Sequence, residues 1–181
     1  MQNRGKLPSL PVRIRLMLTD LVIRPAKADD APAIWHILKP VIREGRTYPI
    51  SQNITEKDAL AYWFSTAHQV FVATINQDIL GTFYIRPNQA GAGSHVANCG
   101  YMTAPNARGK GIAKAMCEQS QKIAKECGYT AIQFNFVIAT NIGAIGLWQK
   151  LGFEIMGRLP EVFNHPEQGL VDALVMFKKL S

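Results

Sequence analysis

VANCGYMTAPNARGKGIAKA, residues 96–115, is the stretch on which the fold of this chain turns. Val96 to Thr103 is β-prone. Pro105 to Gly111 is a glycine-containing loop. Ile112, Ala115, Met116, Gln119, Ile123 and Ala124 then recur at helical spacing, and Cys127-Gly128 closes the helix. A strand that turns into a helix through Arg108-Gly109-Lys110-Gly111-Ile112-Ala113 makes an anion site. The first N–H groups of a helix have no intrahelical partner, and the helix dipole favours negative charge there. Gly109 and Gly111 let a ligand approach the backbone, and Arg108 and Lys110 add charge. Two familiar nucleotide loops are excluded. Lys114 stands where a dinucleotide fingerprint needs its third glycine, and Gly111 stands where a triphosphate loop needs Ser or Thr.

Downstream, Tyr129 to Ile138 is an apolar strand of the kind buried on both faces, and Asn141 to Leu151 is a short helix closed by Gly152. Phe153 to Met156 and Leu170 to Phe177 are the last strands. Upstream, Leu21 to Arg24 is a strand closed by Pro25. A helix follows the capping candidates Ala28 to Asp30, and Pro40 is expected to end or kink it. Thr55-Glu56-Lys57-Asp58 caps a second helix running to about Ala67. Val70 to Thr74 and Ile79 to Ile85 form a hairpin turning at Asn76-Gln77-Asp78. The order β-α-α-β-β-β-α-β-α-β-β predicts one mixed α/β domain with a partly antiparallel sheet.

The bulk properties agree. The chain has 181 residues, 48% hydrophobic and 18% charged, which suits one globular domain. Its net charge of +7 favours an anionic partner. The basic residues are not interleaved with aromatics, so no nucleic-acid platform is expected. No apolar run reaches membrane-spanning length, and Leu7 to Leu18 is broken by Pro8, Pro11, Arg13 and Arg15, so neither a membrane segment nor a secretory leader is expected. Residues 1–20 read as a flexible basic arm and 21–181 as the domain. Cys99, Cys117 and Cys127 form neither a disulfide framework nor a zinc site. Reduced thiols point to the cytoplasm, no metal is expected, and Cys99 is expected to be a small buried packing residue.

A second motif gives the anion an identity. Asn141-x-x-Ala144-x-x-Leu147-Trp148-x-Lys150-Leu151-Gly152-Phe153 opens a helix just after the buried strand, one helix and one strand beyond the loop. Together the two motifs resemble the GNAT superfamily of N-acetyltransferases, across roughly Leu21 to Leu180. The resemblance implies a single-domain GNAT fold whose mixed sheet splays between the fourth and fifth strands, flanked by helices. It implies acetyl-CoA as cosubstrate. Its pantetheine arm would pair with the backbone of Tyr101, Met102 and Thr103. Its pyrophosphate would lie on Arg108, Gly109, Lys110, Gly111, Ile112 and Ala113. Asn141 would contact the cofactor. Members of the superfamily often place a tyrosine acid where this chain has Trp148. An indole N–H cannot serve at neutral pH, so Trp148 is expected to pack beside the cofactor. A homodimer is compatible with the resemblance, with Leu159 to Lys179 supplying apolar residues.

The segments Phe134 to Asn141, Leu147 to Phe153 and Leu159 to Ala173 are similar to the proline-analogue (azetidine-2-carboxylate) acetyltransferases. That closer resemblance implies a small amine or imino/amino acid acceptor. Asn98 and Asn135 would bind an oxyanion or the substrate carboxylate. A structural hydrogen bond to backbone is the other expectation for these two amides. Glu44, in Arg43-Glu44-Gly45-Arg46, is a general-base candidate whose alternative is an ion pair with Arg43 or Arg46. His165 is a second titratable candidate. Two other functions share the cofactor motifs: acetylation of a protein lysine or N-terminus, and non-catalytic sensing of acyl-CoA.

Overall fold

The computed structural model describes residues 20–181. The basic arm assigned to residues 1–20 therefore lies, except for Asp20, outside the described residues.

Among the described residues seven strands form one sheet: β1 (Val22–Pro25), β2 (Gln69–Ile75), β3 (Asp78–Pro87), β4 (Val96–Thr103), β5 (Ala131–Ile138), β6 (Glu154–His165) and β7 (Gly169–Lys179). Their spatial order is β1-β2-β3-β4-β5-β7-β6, with β4 and β5 parallel and every other neighbour antiparallel. The helices are α1 (Ala31–Glu44), α2 (Glu56–Trp63), α3 (Ile112–Glu126) and α4 (Ile142–Lys150). The expected element order is reproduced in full.

Local chemistry explains most boundaries. The β2–β3 turn is the tight pair Asn76-Gln77, both in the left-handed region at φ 49° and 73°, which matches the twist of a two-residue hairpin. Thr55 caps α2 by accepting from the Asp58 N–H at 3.1 Å. In α1, Ile34, Trp35, Ile37, Leu38, Val41 and Ile42 are all buried along one stripe.

Three expectations need correction. Pro40 does not end α1, which continues to Glu44. The carbonyl that Pro40 leaves without a donor belongs to His36, on the exposed side of the helix, where water can take over. Helix α2 stops at Trp63, short of Ala67, and a turn with His68 N–H on the Ser65 carbonyl at 2.8 Å returns the chain to β2. The strand placed at Phe153 to Met156 runs from Glu154 to His165. As an edge strand exposed over most of its length, β6 lacks the apolar alternation by which a strand is recognised.

Helix α3 covers one face of the sheet, meeting Gly81 through Ile112 and Met116. Helices α1 and α2 cover the other, where the Trp63 indole N–H donates to Thr82 at 3.0 Å. Trp63, Phe83, Ile85, Met116 and Phe153 are among the largest fully buried side chains. No described helix is long and apolar enough to cross a membrane.

Candidate active site

Strands β4 and β5 hold only two register pairs, Val96↔Ala131 and Ala97↔Ile132. Beyond them the strands separate. Asn98 sits in the crotch of this fork, 7% exposed, and its Nδ2 donates to the Gln133 carbonyl of β5 at 2.9 Å. The bond satisfies one backbone group where strand pairing ends. The structural role foreseen for Asn98 is thus present. Its Oδ1 is engaged by no hydrogen bond among the described residues.

Past the crotch, the backbone of β4 faces open space. The Tyr101 peptide is met there by a single group, the hydroxyl of Tyr48 from the loop after α1. Tyr48 donates to the Tyr101 carbonyl and accepts from the Tyr101 N–H, both at 2.8 Å. Burial pushes both phenols above their ordinary range, so both stay protonated. The Tyr101 ring points to the opposite face and bonds Ser120 of α3 at 2.7 Å.

At the mouth of the fork lies the anion loop. Gly109 and Gly111 are both left-handed, at φ 74° and 82°, a conformation glycine adopts without penalty. Gly111 is the N-cap of α3 and has no side chain to occupy the first N–H groups of the helix. A Cβ built on Gly109 would meet nothing within 4 Å, so the loop presents bare backbone. Arg108 reaches Glu44 at the end of α1, at 3.2 Å. The expected partners of Glu44 were Arg43 and Arg46. Arg43 instead bonds the Gln52 and Ile54 carbonyls, and Arg46 pairs with Glu167 of the β6–β7 turn.

The opposite wall comes from β5 and α4. Asn141 caps α4 by accepting from the Ala144 N–H at 3.2 Å. Trp148 is 8% exposed and packs on Tyr101 and Phe134, with ring centroids 5.2 and 5.3 Å away. It is a packing residue of the cavity wall. Asn135 stands where the β5–β7 register slips, between Phe134 and Val137. Both ends of its amide are engaged: Nδ2 donates to Asn88 at 2.7 Å and Oδ1 accepts from Gln133 at 2.8 Å.

Fork, loop and wall border one open-mouthed cavity of about 500 Å³, which Glu44, Asn98, Tyr101, Arg108, Asn135 and Trp148 all line. Cys99 also lines it, but burial pushes its thiol up to about 12, so it is neutral and no nucleophile. His165 does not line the cavity. It is 5% exposed and accepts from the Glu167 N–H at 3.2 Å.

Sequence motifs leave several cavity residues unmarked, three of them central to the site. Those three are Tyr48, Arg86 and Tyr84, whose ring occupies the space left by Gly100. A Cβ there would lie 2.6 Å from it. Tyr48-Pro49 in a loop was visible as a turn. Nothing local marks it as the partner of a peptide 53 residues away.

The site fits the acetyl-CoA implied by the motifs. A splayed strand edge offers peptide groups to an extended amide-bearing chain, and the uncapped, glycine-flanked helix start offers donors to a diphosphate. A forked mixed sheet with an anion loop at its mouth defines an acyl-CoA-dependent N-acyltransferase. The sequence profile of the Acetyltransferase (GNAT) family matches residues 34–153, and the chain belongs to that family. It is 32% identical to the N-acetyltransferase aca1 of Schizosaccharomyces pombe over 166 residues, covering 82% of this chain and 79% of that protein. Its structure is similar to that of a GCN5-related N-acetyltransferase from Kribbella flavida. The TM-score is 0.86 at 36% identity, over 90% of this chain and 99% of that one. An N-acetyltransferase from Staphylococcus aureus Mu50 follows with a TM-score of 0.80 at 26% identity, over 89% and 99%. The protein is an acetyl-CoA-dependent N-acetyltransferase.

Proposed function

We propose that the acceptor is a small amine of the amino or imino acid type, acetylated by direct transfer. The observation that carries this reading is the lining of the acceptor half of the cavity. It combines the neutral amides Asn98 and Asn135, the aromatic rings Tyr62 and Tyr84 and one cation, Arg86. The one carboxylate among the described residues that line the cavity, Glu44, is paired with Arg108. A lysine-rich protein segment would find no counter-charge there. A cavity of about 500 Å³ that must also admit the pantetheine end leaves room for a small molecule. The similarity of Phe134 to Asn141 to the azetidine-2-carboxylate acetyltransferases points the same way.

Acetyl-CoA supplies the activated acyl group as a thioester. The chain's own residues bind and orient. The Arg108 to Ala113 loop holds the diphosphate, with Arg108 exchanging Glu44 for it. The Tyr101 to Thr103 backbone aligns the pantetheine arm, and Trp148 and Phe134 flank it. Asn98 keeps its Nδ2 on Gln133 and offers Oδ1 to an N–H of the acceptor amine, which aims the nitrogen lone pair at the fork. Asn135, held at both ends, shapes the pocket. Glu44 is bound to Arg108, so proton removal falls to water or to Glu44 once Arg108 has turned to the diphosphate.

The test is thiol release from acetyl-CoA with a panel of small amines, amino acids and imino acids, beside lysine peptides and free peptide N-termini. Turnover confined to the small acceptors is expected. Turnover of peptides alone would overturn the reading.

A second measurement addresses Tyr48. In Tyr48→Phe the Tyr101 N–H and C=O lose their shared partner, which should cost about 1–3 kcal/mol of stability in the free protein. Saturating CoA should shrink that loss, because the pantetheine arm takes over the same peptide. Denaturant titrations with and without CoA check this, and an equal loss in both would separate the arm from Tyr101.

A further inference from the structure

Arg86 stands on β3 directly opposite Asn98 of β4, two residues beyond Tyr84 and on the same face. It lines the acceptor half of the cavity. Its Nε is buried and has no hydrogen-bond partner, the one side-chain atom in that condition among the described residues. No described carboxylate lies within ion-pair distance of it. Of the other charged residues lining the cavity, Arg108 is bound to Glu44 and Arg46 to Glu167. The nearby aromatic group is no counter-ion either. His68 lies flat on Tyr84 at 4.0 Å, and burial, with a contribution from Arg86, holds it below its ordinary range and therefore neutral. The cavity thus contains one guanidinium whose charge and buried N–H await an acceptor.

We propose that Arg86 receives the carboxylate of the acceptor, so that this enzyme selects amino or imino acids with a free carboxyl group over amines that lack one. The inference rests on the small-acceptor reading above and narrows it. A guanidinium is suited to the role because its planar fork matches a carboxylate with two parallel hydrogen bonds. The pairing also has a chemical consequence. An amine must be neutral to attack a thioester, and a carboxylate on the adjacent carbon favours its ammonium form. Arg86 cancels that carboxylate's field and so eases loss of the ammonium proton. That proton leaves to solvent, the nitrogen lone pair forms the new amide bond, and as the carbon–sulfur bond of the thioester breaks a second proton leaves the nitrogen, through solvent, for the departing thiolate, releasing CoA as its thiol.

The experiment compares azetidine-2-carboxylate with its uncharged carboxamide as acceptors for the wild type, Arg86→Gln and Arg86→Lys, reading kcat/KM, the kcat–pH profile and acetyl-CoA affinity. The wild type should favour the carboxylate by at least tenfold. Arg86→Gln should lose about tenfold or more on the carboxylate, mostly in KM, and less than threefold on the carboxamide. The rising limb of its kcat–pH profile should move to higher pH. Arg86→Lys, which keeps the charge and loses the fork, should fall between. Acetyl-CoA affinity should stay within threefold in both variants, which a misfolded protein would not show. Equal turnover of both acceptors by the wild type, or equal losses on both in Arg86→Gln, would overturn the role of Arg86 and leave the small-acceptor reading standing. Turnover of neither acceptor, nor of other amino acids or their amides, would overturn both.

Discussion

Trp63→Ala should destabilise the protein by about 3–5 kcal/mol, the range for removing a fully buried aromatic side chain. Trp63 is 0% exposed at the end of α2, and its indole N–H donates to Thr82 in the sheet. Its ring meets Tyr84 edge to face at 5.0 Å, and Tyr84 is stacked on His68 behind it. A loss of that size is a large share of the roughly 5–15 kcal/mol that holds a domain folded. Denaturant unfolding measures it directly. Trp63→Phe keeps one aromatic ring but loses the indole hydrogen bond and the volume of the second ring, so it should recover only part of the loss. The effect reaches function because Trp63 is the buttress of the aromatic wall. At temperatures where the variant stays folded, KM for the acceptor should rise while CoA affinity holds. A stability loss below about 1.5 kcal/mol would mean that the wall is supported from elsewhere.

Asn98→Asp should lower kcat/KM for small acid acceptors by about 100-fold or more, the scale of an altered buried charge contact. The substitution keeps the shape and reverses the chemistry. Nδ2 becomes a carboxylate oxygen facing the Gln133 carbonyl, so the bond across the crotch is replaced by repulsion. The new carboxylate also lies beside Arg86 on the neighbouring strand and gives it an internal counter-ion. CoA affinity, set by the loop and the outer part of β4, should change much less. Steady-state kinetics beside calorimetric CoA binding separate the two. Activity within threefold of wild type would show that the crotch tolerates charge and that Asn98 touches neither the acceptor nor its anchor.

What the sequence reveals of this site follows the range of the forces involved. The β4–loop–α3 unit, the Asn76-Gln77 turn and the Thr55 cap are local, so backbone propensity and spacing announce them. The Asn141 cap of α4 is equally local. Arg86 is different. Its significance depends on standing opposite Asn98 and on the lack of a carboxylate nearby, and both follow from sheet register. Tyr48 meets Tyr101 only because the α1–α2 loop folds across the fork. Glu44 finds Arg108 across 64 residues of chain rather than its sequence neighbours, since α1 ends where the anion loop begins. Strand β6 hid its length for a further reason. It carries Pro160 and many exposed polar residues, and its pairing with β7 slips twice, so no period of two survives.

Those slips decide how the edges of the sheet behave toward other chains. Between Leu159 and Phe163, three residues of β6 stand against Asp172 alone. Pro160 has no N–H to offer. Glu161 is left-handed at φ 53°, and its N–H is held by the Asp172 carboxylate at 2.9 Å. The outer rim of β6 is thereby cut into short lengths, and an added strand could not continue its ladder past the break. The other rim among the described residues, β1, is four residues long and ends at Pro25. Ile155, Met156, Leu159 and Val162 can therefore stand exposed on an edge strand without seeding the strand-on-strand stacking that such a surface would otherwise invite.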